Sequence, residues 1–362
     1  MNIWSRRPAC TELTLDSFSP DYSTARRRFR QAVIQAGGKL ESIGVDVKGP
    51  EGEELSIDIG WFGSDEPRSV VLHSTGLHGV EGFAGSAVQL QFLEDPVRMP
   101  PGSAIVLTHI LNPYGMAWLR RVNENNVDLN RNFLSDDSYS GAPSEYARLN
   151  RFLNPSSPPA MDLFALRALL LLARYGMEPL KQSILEGQYD FPKGLFFGGK
   201  RLQQPLKRYH VLIEQMLTNV NKIIAIDVHT GIGPYGQDSL LVNRQEYERL
   251  RTLFGERVRA MEPDRGPGYR IRGGLSELIT HALPHAEIDF VGQEFGTYGP
   301  TKVLHALREE NRWHHYGGSN LHHPSKYHLK RIFCPDDASW RHSVLTRGQE
   351  LLAQAIQILL AS

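Results

Sequence analysis

Apolar residues gather in short runs that recur along the chain and read as strands. The runs lie at residues 55–61, 69–74, 104–110, 223–228, 239–242, 288–294 and 328–333. Several, such as IIAIDV at 223–228, are apolar at successive rather than alternate positions, the pattern of a strand buried on both faces. Between them, residues 23–36, 82–93, 244–259 and 338–360 read as helices. Strands alternating with helices predict an α/β protein, three layers α/β/α around a mixed, mainly parallel sheet.

Residues 135–218 break the rhythm. They carry Pro/Ser punctuation (NPSSPPA), an apolar helix around 164–173 and a polar loop through EGQYDFPKGLFFGGK, with no strand-rich pattern. The expectation is a helical insertion at 135–218 within a single domain spanning 1–362. No repeat or low-complexity tract interrupts it.

Composition narrows the function classes. Forty basic residues balance forty acidic ones, so the basic surplus of a nucleic-acid or anionic-membrane binder is missing. Two cysteines, Cys10 and Cys334, exclude a disulfide framework and a cysteine-built zinc site. The first residues lack the apolar core of a signal peptide, and Arg167 and Arg174 interrupt the most apolar helical stretch. A soluble, cytoplasmic protein with no nucleic-acid or membrane partner is expected; oligomeric state stays open.

Candidate chemistry begins after the run at 69–74, in STGLHGVEG. His78 and Glu81, three apart in a glycine-rich turn, can converge on one cation, though an ordinary polar turn has the same appearance. A catalytic zinc takes three protein ligands, and His229 follows the most apolar run, where sites of open α/β sheets lie; a capping or core histidine is the alternative. Glu294 interrupts the apolar run at 288–294 and reads as a proton acceptor in a cleft or as half of an ion pair. Arg120, Arg121, Asn130 and Arg131 crowd one polar segment that can bind an anion or an oxyanion, or simply face solvent.

Together, His78-x-x-Glu81, N-P-Y-G at 112–115, Arg121 ahead of VDLNRNF, and the distant His229 and Glu294 resemble the zinc metallocarboxypeptidase family. The likeness is to its bacterial branch catalogued as a domain of unknown function, and it runs through residues 72–299. The resemblance implies a zinc-carboxypeptidase-like fold and one Zn2+ per chain held by His78, Glu81 and His229. Glu294 would be the general base that activates the attacking water, and Arg121 would polarise the scissile carbonyl. Asn130 and Arg131 would clamp a terminal carboxylate, with Asp128 holding the first histidine. The third histidine stands in DVHTGIGPYG rather than the family's H-S-Y-like context. The family's mobile tyrosine has two candidates, Tyr269 and Tyr298.

The resulting expectation is a zinc metallopeptidase acting on a peptide. An N-acyl amino acid deacylase, taking a small acyl-amino acid, is the alternative on the same scaffold, and a non-catalytic zinc- or anion-binding module is the alternative of another class. G-I-G-P-Y-G at 231–236 matches a dinucleotide fingerprint, but Pro234 and the run after it argue against the required helix. The six histidines between His305 and His328 read as surface or substrate-loop residues.

Overall fold

The computed structural model describes residues 14–261, 271–318 and 320–361; Cys10 and Tyr269 lie outside them. Among the described residues, eight strands form one sheet: β1 (Lys39–Lys48), β2 (Glu54–Gly63), β3 (Ser69–Thr75), β4 (Ser103–His109), β5 (Lys222–Gly231), β6 (Asp238–Val242), β7 (Val258–Ala260) and β8 (Glu287–Gly296). Their order is β1-β2-β4-β3-β5-β8-β6-β7. The central strands β4, β3, β5 and β8 run parallel, while β1–β2, β2–β4 and β8–β6 pair antiparallel.

The helices are α1 (Tyr22–Gln35), α2 (Gly82–Glu94), α3 (Pro113–Ala117), α4 (Ser144–Leu153), α5 (Phe164–Tyr175), α6 (Met177–Leu185), α7 (Gln204–Met216), α8 (Tyr247–Phe254), α9 (Leu275–Ala282), α10 (Pro300–Arg312), α11 (Pro324–Phe333) and α12 (Ala338–Ala361). Successive strand residues point to opposite faces, so the continuous apolar runs fill two cores. Ile224, Ile226 and Val228 of β5 pack with α1, α2, α8 and α12 on one side. Ile223 and Ala225 pack with α7 and α9 on the other. A three-layer α/β/α protein with a mixed, mainly parallel sheet results. A third apolar cluster joins α4, α6, α10 and α11 to Val80, Leu195 and Phe196, close to the carboxyl end of β3.

Three readings of the pattern differ from the structure. Residues 328–333 are the end of helix α11, not a strand: Pro324 opens that helix and His323 caps it, accepting from Ser325 N at 3.2 Å. The helix expected over 244–259 stops at Phe254, because Gly255 turns at φ +82° and the chain enters β7. Strand β1 was not expected; it lies at the sheet edge, where charged residues alternate with half-buried ones. No described helix is long and apolar enough to cross a membrane.

Candidate metal centre

The candidate residues gather where the parallel strands end. His229 of β5 and Glu294 of β8 are register partners, and His78 and Glu81 lie on the turn after β3. This turn is held against the loop after β4. Gly79 N donates to Arg121 O (3.0 Å) and Val80 N to Arg120 O (2.9 Å). A Cβ on Gly79 would fall 2.1 Å from the Gly115 carbonyl carbon, so this approach requires glycine. Asn112, in N-P-Y-G, fixes the other side by accepting from Gly115 N and donating to Arg121 O.

Ring nitrogens and carboxylate converge on one point. His78 Nδ1 lies 3.0 Å from Glu81 Oε1 and 3.2 Å from His229 Nδ1, which is 3.2 Å from Glu81 Oε2. His78, Glu81 and His229 are all buried, with ligand atoms within 4.8 Å of one another, a set that could hold a metal ion. Each far ring nitrogen meets a carboxylate: His78 Nε2 stands 3.0 Å from Asp128 Oδ1, and His229 Nε2 stands 2.7 Å from Asp227 Oδ2. The Asp128 contact is a hydrogen bond that favours the His78 tautomer with Nδ1 as a lone-pair donor, while Asp227 sets a negative charge against His229 Nε2. Two imidazoles and a carboxylate, so oriented, fit zinc by donor type and number.

Charge in the centre is dominated by carboxylates. Burial opposes ionisation of Glu81, but His78 and Arg121 outweigh it and hold its pKa below the usual range. Asp128 is likewise held well below its ordinary value, against burial, mainly by Arg121 and His78. Burial also opposes the protonation of His229, yet Asp227 and Glu81 hold its pKa well above the ordinary value. Glu294 moves the other way, raised to about 7 by burial and by the neighbouring Glu81 charge. Its Oε1 accepts from Ile232 N at 2.9 Å. That N–H is aimed by the flanking Gly231 and Gly233, at φ +135° and +119°. The glycines of G-I-G-P-Y-G therefore cradle a carboxylate, and strand β6 rather than a helix follows them.

Arg121 lies against Glu81, Asp128 and the far side of the His78 ring. Nη1 donates to Glu81 Oε1 (2.7 Å), Nε donates to Asp128 Oδ2 (3.2 Å), and Nη2 is 2.7 Å from His78 Nε2. His78 Nε2 can serve only one neighbour at a time, as an N–H to Asp128 or as a lone pair to Arg121.

Asn130 and Arg131 are placed differently. Asn130 N donates to Asp128 Oδ1, and its side-chain oxygen accepts from Leu275 N at the start of α9. Arg131 is fully buried, donating from Nε to Leu185 O (2.9 Å) and from Nη1 to Asn130 O (2.7 Å). Tyr298 follows β8 and packs on Tyr235, ring centroids 5.6 Å apart.

Two residues of the site escape a reading of the sequence. Asp227 sits inside the apolar run of β5, two positions before His229, and also accepts from Ser74 Oγ (2.7 Å). An acid buried in such a run is itself a signal that something pairs with it. Phe196 lies under the Arg121 guanidinium, 5.5 Å from its ring centroid, and takes φ +56°. Nothing in GLFFGGK marks that contact.

The chain belongs to the family described as "Protein of unknown function (DUF2817)", matched over residues 18–347. No curated protein matches it. Among solved structures it is similar to bovine thrombin-activatable fibrinolysis inhibitor in complex with tick carboxypeptidase inhibitor. The identity is 12%, the TM-score 0.44, and the match covers 93% of this chain and 100% of that one. It is similar to the succinylglutamate desuccinylase of Chromobacterium violaceum at 12% identity and TM-score 0.37, covering 88% and 75%. Murein-tripeptide amidase MpaA of Escherichia coli O157 follows at 16% identity and TM-score 0.35, covering 76% and 92%.

Proposed function

We propose that the protein is a zinc-dependent hydrolase cleaving an amide bond near a free carboxylate, a carboxypeptidase-like reaction. The observation that carries this reading is the convergence of His78 Nδ1, Glu81 and His229 Nδ1 beside Glu294 and Arg121. His78, Glu81 and His229 would hold the ion. A zinc ion there would polarise the scissile carbonyl and make water a nucleophile at neutral pH.

The residues do the rest. Asp128 and Asp227 keep the protons of His78 and His229 on Nε2. Glu294 takes a proton from the attacking water as its oxygen bonds to the carbonyl carbon. Arg121 donates to the oxyanion, and Glu294 returns the proton to the departing amine as the C–N bond breaks. The products are a carboxylic acid and an amine.

In the carboxypeptidase reading Asn130 and Arg131 receive the substrate's carboxylate, which requires Arg131 to exchange the Leu185 carbonyl for the ligand. A second reading, deacylation of an N-acyl amino acid, makes the same demand on Arg131, because that substrate also carries a free carboxylate beside the scissile amide. Amidating the terminal carboxylate of peptide substrates separates them: loss of cleavage supports the carboxypeptidase, and cleavage confined to acyl-amino acids supports the deacylase.

The founding test is the metal content of the purified protein beside His229→Ala. About one zinc per chain, lost in the variant, is expected for a three-ligand site. A protein that takes no zinc even on reconstitution overturns the mechanism, and one that holds zinc but turns over no amide is a binding module.

A further inference from the structure

The residue before Arg121 opens a second buried cluster, lying between the loop after β4 and helices α10 and α11. Arg120 is 0% exposed. Its Nε donates to Glu310 Oε1 (2.9 Å) and its Nη2 to Asn126 Oδ1 (2.9 Å), while Nη1 is buried with no hydrogen-bond partner among the described residues. Lys326, also fully buried, donates from Nζ to the same Glu310 oxygen at 2.6 Å. One carboxylate thus serves two buried cations.

A desolvated surplus charge is strongly unfavourable unless something balances it. The neighbours do not. His314 and His315 lie on the π-helical turn Trp313–Gly317, and burial together with Arg120 lowers their pKa to about 3 and about 4, so they are neutral. Each also buries one ring nitrogen without a hydrogen-bond partner, Nδ1 of His314 and Nε2 of His315. Glu309 is engaged by Arg308 and Arg312, and Lys193 is exposed. Beside Arg120 a cavity of about 10 Å³, bounded also by Arg121, Asn126, Phe196, Glu310 and Asn311, has room for one particle of water size.

We infer that a single small monovalent anion, chloride or one of its size, binds in this cavity against Arg120. It would accept from Nη1 and cancel the surplus charge of the Arg120–Glu310–Lys326 cluster. Water could fill the space and accept the same N–H, but it would leave the charge standing. The anion would adjoin Arg121, but none of the proposed metal ligands lines the cavity, so its test needs neither zinc nor turnover.

The experiment has two arms on the full chain. Thermal unfolding is followed in sodium chloride and in sodium gluconate at equal ionic strength, for the native protein and Lys326→Met. Crystals grown in bromide are examined by anomalous scattering. The native protein is expected to gain several degrees in chloride, saturably, as a ligand of the folded state does. Lys326→Met, with the surplus cation removed, is expected to lose that dependence, and a bromide peak is expected within hydrogen-bond distance of Arg120 Nη1. Equal melting in both salts, or a peak that lies elsewhere with water beside Arg120, overturns the inference. Should Lys326→Met fail to fold, the native melting curves and the bromide map still decide it.

Discussion

Arg120 and Arg121 are consecutive, yet their side chains enter two buried clusters of opposite imbalance. Arg121 meets a centre rich in carboxylates: Glu81 and Asp128 around His78, and Asp227 behind His229. Arg120 meets a single carboxylate, Glu310, shared with Lys326. In the first the excess of negative charge, against burial, favours a proton on His229, and in the second burial, with the excess of positive charge adding to it, drives protons off His314 and His315. Buried groups of one sign call for a partner of the other. The comparison therefore sets a centre whose donors fit a cation on one side of the loop against a cluster whose donors fit an anion on the other. Glu294 faces only the first cluster, so the proposed chemistry is assigned there.

The largest effect should come from the residue that most distinguishes the two clusters. Glu294→Gln keeps size and removes the proton acceptor. Turnover should fall by about 10²–10⁴-fold, the usual share of a general base. Zinc content and the chloride response should stay native. Full activity in this variant would remove Glu294 from the mechanism.

Gly79→Ala tests the seam between the clusters. The new Cβ would press on Gly115 backbone atoms, and the residue's own N–H bonds to Arg121 O. Loss of about 1–3 kcal/mol in chemical denaturation is expected, in the range of overpacked interiors. Because the turn bonds to both arginine carbonyls, zinc affinity and chloride response should weaken together. A variant that loses only one of them would show the clusters to be independent. Asp227→Asn acts on the metal side alone: zinc affinity should drop by about 10–100-fold while the chloride response is kept. An unchanged zinc affinity, measured by competition with a chelator, would mean that Asp227 serves only Ser74.

How much of this was legible depends on where each residue lies. His78, Glu81, His229 and Glu294 stand at the ends of continuous apolar runs, so the step from strand to turn marks them. Asp227 is hidden inside such a run, and the reading of β5 as uniformly apolar passed over it. The central strands announce themselves because both faces are buried. Edge strand β1 alternates charge with half-burial, and β7 has only three residues. The run at 328–333 shows the usual ambiguity of short apolar segments; Pro324 and His323 were the signals that decide for a helix. His314 and His315 read as surface residues in isolation. Their electrostatic coupling to Arg120 spans nearly two hundred positions, and no local pattern encodes it.

Those two histidines give the smallest effect and the finest test of the comparison. Their ordinary pKa is 6.5, and in the fold it is lowered to about 3 for His314 and about 4 for His315. Burial is the main cause; Arg120 and Lys326 add to it, Lys193 adds at His315, and Glu310 opposes it. The unfolded chain therefore binds more protons than the folded one below pH 6.5. Stability should be complete above that value and decline as pH falls from 6.5 through 4 toward 3. Between pH 7 and 5 the titration of Glu310, lowered to about 2 against burial by Arg120 and Lys326, does not interfere. Over that interval the double variant His314→Gln, His315→Gln should show a flatter dependence of its urea midpoint than the native protein. An anion beside Arg120 would cancel part of the charge that holds the histidines neutral. The native slope should then be shallower in chloride than in gluconate, and the variant's slope should be the same in both. A native slope indifferent to the salt would leave the histidines their acid sensitivity and take away their link to the anion.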